Sequence, residues 1–154
     1  MEMSWLQAER WRLLRNWICK NGTKLKLKFI DGDFDTRWES KAEDPQAFTI
    51  ELPQEEKIGG MKIYWEGAAA KKYVVETSTD NKNWNVAFTQ NKGLGGQGYG
   101  DAKTWTNVKE MRNQKYGEHT VNFDAVSARY VKFQGVKSAM NYGYSMWEFK
   151  VIAK

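Results

Sequence analysis

The segment ARYVKFQGVKSAMNYGYSMWEFKV, from Ala128 to Val151, decides the fold. It contains two runs rich in β-branched and aromatic residues, Arg129–Val136 and Trp147–Ile152, with the turn residues Asn141 to Gly143 between them. β-Branched and aromatic side chains favour strands, whereas Asn and Gly accept the backbone angles of turns. The segment therefore predicts two strands joined by a loop.

Strand patterns continue upstream of this segment. Residues Lys24–Phe29 alternate Lys with Leu and Phe, a period of two that is typical of a strand with one wet face. Gly, Asn and Asp residues separate the remaining strand candidates. These candidates are Phe48–Leu52, Gly60–Trp65, Tyr73–Thr77, Asn85–Gln90 and Glu118–Phe123. Many short strands with polar turns and almost no helix predict an all-β sandwich or barrel.

The first 23 residues differ from the rest. Ser4 to Cys19 places apolar residues at helical intervals, and Asn21-Gly22 follows as a stop signal, so we expect a short N-terminal helix. We divide the chain into a helical leader, 1–23, and a domain, 24–154. The leader is either packed on the domain, bound to a membrane surface through its arginines, or an added, non-native segment. Met1–Lys20 lacks the apolar stretch of a signal peptide.

Composition narrows the classes of function. The chain has 154 residues, eight Trp, one Cys and a net charge of +5. One Cys permits no intrachain disulfide, so an extracellular domain would need another staple, and a metal ion is one candidate. The Lys and Arg residues are scattered rather than blocked, so we expect no nucleic-acid binding. The surplus aromatic rings favour a recognition surface as well as a core.

Three segments together resemble one family. They are DGDFDTRWES (Asp31 to Ser40), KIYWEGAAAKKYVVETSTDNKNW (Lys62 to Trp84) and the Ala128–Val151 segment. In this order they resemble discoidin (coagulation-factor type C) domains, especially the family 32 carbohydrate-binding modules of polysaccharide hydrolases such as chitosanases. The resemblance implies an antiparallel β-sandwich, or jelly roll, which binds carbohydrate without catalysing a reaction and contains a structural calcium ion.

The metal prediction starts from crowded acids. Asp31, Asp33 and Asp35 lie within a few residues of Gly32, and such carboxylates repel one another unless a hard cation neutralises them. An EF-hand is excluded, because Ala42 stands where its final Glu is required. The loop alone fits an acidic turn equally well. The resemblance implies side-chain ligands at Asp31, Thr36 and Glu148, with backbone carbonyls at Lys28, Asp33, Thr36 and Trp147.

The same resemblance implies a sugar site at one end of the sandwich. The expected contacts are Arg37, Glu43, Glu66, Asn141, Tyr142 and Tyr144, with Tyr144 as the stacking ring and Glu66 as the principal polar contact. If Glu43, Asp44 and Glu66 converge, the pocket is anionic and favours an amino sugar such as that of chitosan; a neutral galactoside or glucan stays open. Arg37 could instead pair with a loop carboxylate, and either tyrosine could belong to the core.

Catalytic patterns are missing from the sequence. His119 is the single histidine, and neither a nucleophile-base-acid triad around it nor a zinc site with several His or Cys ligands is visible, so we expect a surface or strand residue and no enzyme activity. We expect Trp38, Trp84 and Trp147 in the core. The expected partner is a polysaccharide or oligosaccharide, and the chain is expected to be part of a larger secreted or cell-surface protein. The alternative is a discoidin domain that binds membrane lipid or a protein partner.

Overall fold

The structure, a computed structural model, describes Asp35 and residues 37–91, 108–111, 114–139 and 141–154. The predicted N-terminal helix, the Lys24–Phe29 strand and the metal ligands Lys28, Asp31, Asp33 and Thr36 lie outside these residues. Within the described part every regular element is a strand. No helix there is long and apolar enough to cross a bilayer.

Seven strands form one antiparallel sheet in the order β1-β7-β2-β6-β3-β4, and β5 pairs with β6. The strands are β1 (Trp38–Glu39), β2 (Gln46–Trp65), β3 (Ala70–Ser78), β4 (Asn85–Gln90), β5 (Val108–Met111), β6 (Gln114–Ser138) and β7 (Ser145–Ala153). The predicted all-β, antiparallel class is confirmed. The predicted strands were too short, since Phe48–Leu52 and Gly60–Trp65 are both parts of the single strand β2.

The long strand β2 bends around the core. A straight strand of its 20 residues would extend about 65 Å at about 3.3 Å per residue. Yet Phe48 near its start and Trp65 at its end both pack on Phe133 of β6, with ring centroids 5.2 and 5.8 Å apart. Shifts in the β2–β6 register between Glu51 and Glu56 mark where the strand bends. The sheet therefore folds around one main core.

Aromatic rings fill that core around Phe133. Besides Phe48 and Trp65, its ring lies 5.3 Å from Tyr73 and 6.3 Å from Tyr144, measured between centroids. Trp38 belongs to this core, as predicted, whereas Trp147 is buried with Tyr64 in a second, small cluster. Trp84 is only half-buried and lies under the Lys132 ammonium, 4.3 Å from its ring, so the prediction that it belongs to the core is wrong.

Replacing Phe133 with Ala should destabilise the domain by about 3–5 kcal/mol, because it leaves a cavity and removes the contacts of the Phe133 ring with four neighbouring rings. Denaturant unfolding with an unchanged slope would measure this loss. The control is Val86→Ala, since the Val86 side chain is exposed, and its effect should stay within about 0.5 kcal/mol. Equal midpoint shifts for the two variants would contradict the assignment of Phe133 to the centre of the core.

Candidate functional site

Three connections meet at one end of the sheet. They are loop 40–45 between β1 and β2, loop 66–69 between β2 and β3, and loop 139–144 between β6 and β7, with Met140 outside the described residues. The Ser40 N–H donates to the Tyr144 carbonyl oxygen (2.9 Å), and the Ser145 N–H donates to that of Ala68 (2.7 Å). The Ala139 N–H donates to the Ala69 carbonyl oxygen (2.9 Å). The expected convergence of these segments is confirmed.

Gly143 allows loop 139–144 to lie against loop 40–45. Its φ of +81° falls in the left-handed region that favours glycine. A Cβ at this position would also collide with the Lys41 carbonyl oxygen. The turn signal in the sequence therefore reflects a close approach of two loops as well as a change of chain direction.

Tyr144 lies in the core, so the prediction that its ring stacks on a sugar is wrong. The residue is 0% exposed, and a Cβ added at Gly135 of β6 would lie only 2.5 Å from its ring. Its hydroxyl donates a hydrogen bond to the Asp44 carboxylate. Alternation along the chain could not settle which tyrosine points inward, because a turn separates both from the preceding strand.

Tyr142 provides the exposed aromatic ring at this end. It is 69% exposed and, with Val86, is one of two large hydrophobic residues exposed in the described part of the chain. Its neighbour Asn141 is exposed too. Both predicted contacts are therefore open to solvent.

Glu66 is held in place by its own loop and by Arg37. Its carboxylate accepts the Ala68 N–H at 3.1 Å and lies 3.7 Å from an Arg37 Nη atom, and the Glu66 side chain keeps 17% exposure. Arg37 also pairs with Glu39 at 2.6 Å and lies 5.6 Å from the centre of the Trp147 ring. The structure thus brings Arg37 and Glu66 together, in the carboxylate pairing that the sequence left open for Arg37.

The acids of loop 40–45 differ in environment. Glu43 is exposed, and the neutral Gln46 amide donates to its carboxylate at 3.4 Å. Asp44 instead accepts hydrogen bonds from Tyr144 and Ser138 and lies 3.3 Å from the Lys137 ammonium. Burial raises the pKa of Asp44, but these hydrogen bonds and Lys137 outweigh it and hold the pKa below its usual value. Asp44 is therefore compensated and adds little to an anionic pocket.

A β-bulge lies in the β2–β7 pairing at Trp147, one of the predicted metal ligands. Tyr64 of β2 pairs with Glu148 and Trp65 with Met146, so Trp147 is left out of the β2–β7 ladder. Trp147 and Glu148, two of the predicted metal ligands, both lie at this bulge, and Glu148 is only 1% exposed. Asp35 and residues 37–154, as far as they are described, contain no group of three metal-binding side chains. The other predicted ligands lie outside the described residues.

Comparison with known proteins identifies the family. The profile of the F5/8 type C domain matches residues 16–149, and the chain belongs to this family. A chitosan-binding module 1 from a Paenibacillus sp. IK-5 chitosanase/glucanase is 30% identical, with a TM-score of 0.63, over 80% of this chain and 81% of that one. Module 2 of the same enzyme, solved with chitotriose, is 29% identical with a TM-score of 0.64, over 80% and 82% of the chains.

A much longer protein contains a segment similar to this chain. The polysaccharide lyase 8 family protein HylA of Enterococcus faecalis is 24% identical over 152 residues, which are 99% of this chain. The chain spans 10% of the length of this relative. The match is therefore to one part of a much larger protein.

His119 lies on β6, where it pairs with Ile63 of β2. Its Nδ1 is 2.7 Å from the Tyr73 hydroxyl oxygen, and its ring meets Phe88 edge-on. Burial raises the pKa of Tyr73, so the hydroxyl keeps its proton, and burial lowers the pKa of His119 below its usual value of 6.5. The position on a strand was predicted; the tyrosine partner, 46 residues away in sequence, was not visible.

The domain should lose stability as the pH falls from about 7 to about 5. His119 becomes protonated in this range in the unfolded chain, whereas burial keeps it neutral in the folded chain. Unfolding therefore takes up a proton. The measurement is the midpoint of thermal unfolding against pH for the wild type and His119→Gln, which keeps a neutral polar group. The variant should show a flatter dependence. Parallel curves would contradict a buried neutral histidine.

Proposed function

We propose that this F5/8 type C domain is a carbohydrate-binding module that holds a sugar at the end formed by loops 40–45, 66–69 and 139–144, and that it binds without cleaving. The observation that carries the proposal is the exposed Tyr142 ring on the same loop cluster as the positioned Glu66 carboxylate. The similarity to the Paenibacillus modules, one solved with chitotriose, supports it.

Sugar binding needs a flat apolar surface and fixed polar groups. Tyr142 offers the flat surface, because a ring that is 69% exposed can cover the CH face of a pyranose. Glu66 offers the polar group, since the Ala68 N–H and Arg37 fix its carboxylate while part of the side chain stays open. Asn141 and Arg37 provide further donors at the rim. Such a site recognises one or two sugar units.

The charge of the site favours an amino sugar. Arg37 offsets Glu66, and Lys137 offsets Asp44, whereas Glu43 is exposed and contacts the neutral Gln46. An ammonium group on the ligand would form a charge-assisted hydrogen bond with Glu43 or Glu66. We therefore propose a glucosamine polymer such as chitosan as the ligand, with Glu43 selecting the ammonium and Glu66 holding the ring hydroxyls.

Glu66→Gln and Tyr142→Ala should each weaken binding of a glucosamine trimer by about 1–3 kcal/mol, through loss of a charged acceptor and a stacking ring. Isothermal titration at low salt measures the affinity. Two matched controls are available. Glu51→Gln changes an acid of β2 away from the loops, and Val86→Ala changes the other large hydrophobic residue exposed in the described part of the chain. Unchanged affinity in both site variants would contradict the proposed site.

Glu43→Gln should separate amino sugars from neutral ones. Its loss of charge should weaken the glucosamine trimer about tenfold while leaving the N-acetylated trimer within about twofold, because only the former carries ammonium groups. Equal losses for the two trimers would contradict charge selection. A wild-type domain that binds no glycan on an array but sediments with anionic vesicles would favour the alternative, a lipid-binding discoidin domain.

We also propose a structural calcium ion held by Glu148 and the Trp147 carbonyl with the loop ligands predicted from the sequence. Two of the predicted ligands, Trp147 and Glu148, are described and support such an ion, because carboxylate and carbonyl oxygens are the donors that calcium prefers. An ion there would tie the chain before β1 to β7, which pairs with β1 at Met146. The ion would supply rigidity and no reaction chemistry.

Calcium should raise the midpoint of thermal unfolding relative to EDTA, and the rise should grow with calcium concentration because the ion binds only the folded chain. Glu148→Gln should abolish the difference between the two conditions. Glu51→Gln, the replacement of an acid away from the bulge, should retain it. Identical midpoints of the wild type in calcium and EDTA would contradict the metal site.

A module of this kind would act within a larger protein. The chain spans one tenth of its polysaccharide lyase relative, and we propose that it anchors a secreted or cell-surface enzyme to its polysaccharide. A single shallow site gives weak affinity, so useful retention would come from several modules or several contacts along one polymer.

A further inference from the structure

The Asp44 carboxylate is the point at which two of the three loops are joined. One oxygen accepts the Ser138 N–H at 3.0 Å and the Tyr144 hydroxyl. The other accepts the Ser138 hydroxyl at 3.3 Å and lies 3.3 Å from the Lys137 Nζ atom. The side chain is 21% exposed. Asp44 thus connects loop 40–45 to the end of β6 and to Tyr144 of loop 139–144.

These contacts leave Asp44 little capacity to bind a sugar. An ionised carboxylate has about four acceptor positions. Four donors from Lys137, Ser138 and Tyr144 already surround this one. A sugar hydroxyl would have to displace a bond that also holds the fold. Asp44 therefore fits the role of a residue that positions others.

The residues that Asp44 positions are predicted ligand contacts. Glu43 precedes it directly in loop 40–45, and Tyr142 lies two residues before Tyr144 in loop 139–144. Tyr144 cannot move to follow a displaced loop, because its ring is fully buried against Gly135 and Phe133. Any shift of loop 40–45 away from this anchor would change the spacing between Glu43 and Tyr142.

We propose that Asp44 is a positioning residue for the sugar site: through Tyr144 and Ser138 it sets the spacing between Glu43 and Tyr142 that a bound sugar requires. This inference rests on the proposed function. It assigns the residue a role in affinity that exceeds its role in stability, because the loops it joins carry the ligand contacts while the core lies beneath them.

The chain contains a matched control for this chemistry. Glu51 of β2 accepts hydrogen bonds from two residues of β6, the Tyr130 hydroxyl at 3.3 Å and Arg129 at 3.2 Å. It also joins β2 to β6, but about five residues further along the strand, roughly 16 Å from the loops at about 3.3 Å per residue. Asp44→Asn and Glu51→Gln therefore remove the same kind of interaction at a site-facing and a remote position.

The test measures affinity for a glucosamine trimer and the unfolding midpoint for the wild type, Asp44→Asn and Glu51→Gln, at a temperature where all are folded. Asp44→Asn should weaken binding about tenfold or more, and Glu51→Gln should change it less than about twofold, although both lower the midpoint. Tyr144→Phe, which keeps the buried ring and removes only the hydroxyl, should weaken binding in the same direction and serves if Asp44→Asn does not fold.

Backbone amide spectra add a readout that stability alone would not move. Asp44→Asn should shift the amide signals of loops 40–45 and 139–144 while leaving those of loop 66–69 near their wild-type positions. Wild-type affinity in both Asp44→Asn and Tyr144→Phe, or an equal loss in Glu51→Gln, overturns the positioning role alone. A wild-type domain that binds no glucosamine trimer overturns the proposed ligand and this role together.

Discussion

Tyr144 joins the core to the candidate site. Its ring occupies the space that only a glycine at position 135 leaves open, and it meets Phe133 at the centre of the aromatic cluster. Burying a ring of this size stabilises the fold by about 2–3 kcal/mol, but its hydroxyl would cost much of that without a hydrogen-bond partner. Asp44 is that partner. The loops consequently take their places from the same packing that holds the sheet together.

This connection explains how short loops on an all-β domain can present fixed contacts. Loop 40–45 is tied by Asp44 and by Ser40, whose hydroxyl accepts the Tyr144 N–H at 2.9 Å. Loop 66–69 is tied by the Ser145 N–H, which donates to the Ala68 carbonyl oxygen. Loops 40–45 and 66–69 are thus both hydrogen-bonded to Tyr144 and Ser145, where loop 139–144 continues into β7. The proposed ligand contacts, held in this way, would lose little conformational freedom on binding a sugar, which favours affinity.

Sequence reasoning found the strands because β-branched and aromatic residues with turn residues between them leave few other options. It could not show that β2 and β6 are long bent strands, since the shifts in register depend on pairing with distant segments. The convergence of Arg37 and Glu66 followed from family resemblance. The Asp44 anchor did not, because its partners lie about 100 residues away in sequence and a loop acid by itself carries no sign of them. The same distance in sequence hid the hydrogen bond between Tyr144 and Asp44, so Tyr144 rather than Tyr142 was expected to be the exposed ring.

The central claim is that a sugar binds where the three loops meet, and amide chemical-shift mapping tests it most directly. The domain, labelled with nitrogen-15 and assigned, would be titrated with a glucosamine trimer. We expect saturable shifts confined to loops 40–45, 66–69 and 139–144, with Glu66 and Tyr142 among the largest. Saturable shifts centred instead on the outer face of β3, β4 and β6 near Trp84 would place the sugar site elsewhere and contradict the proposal.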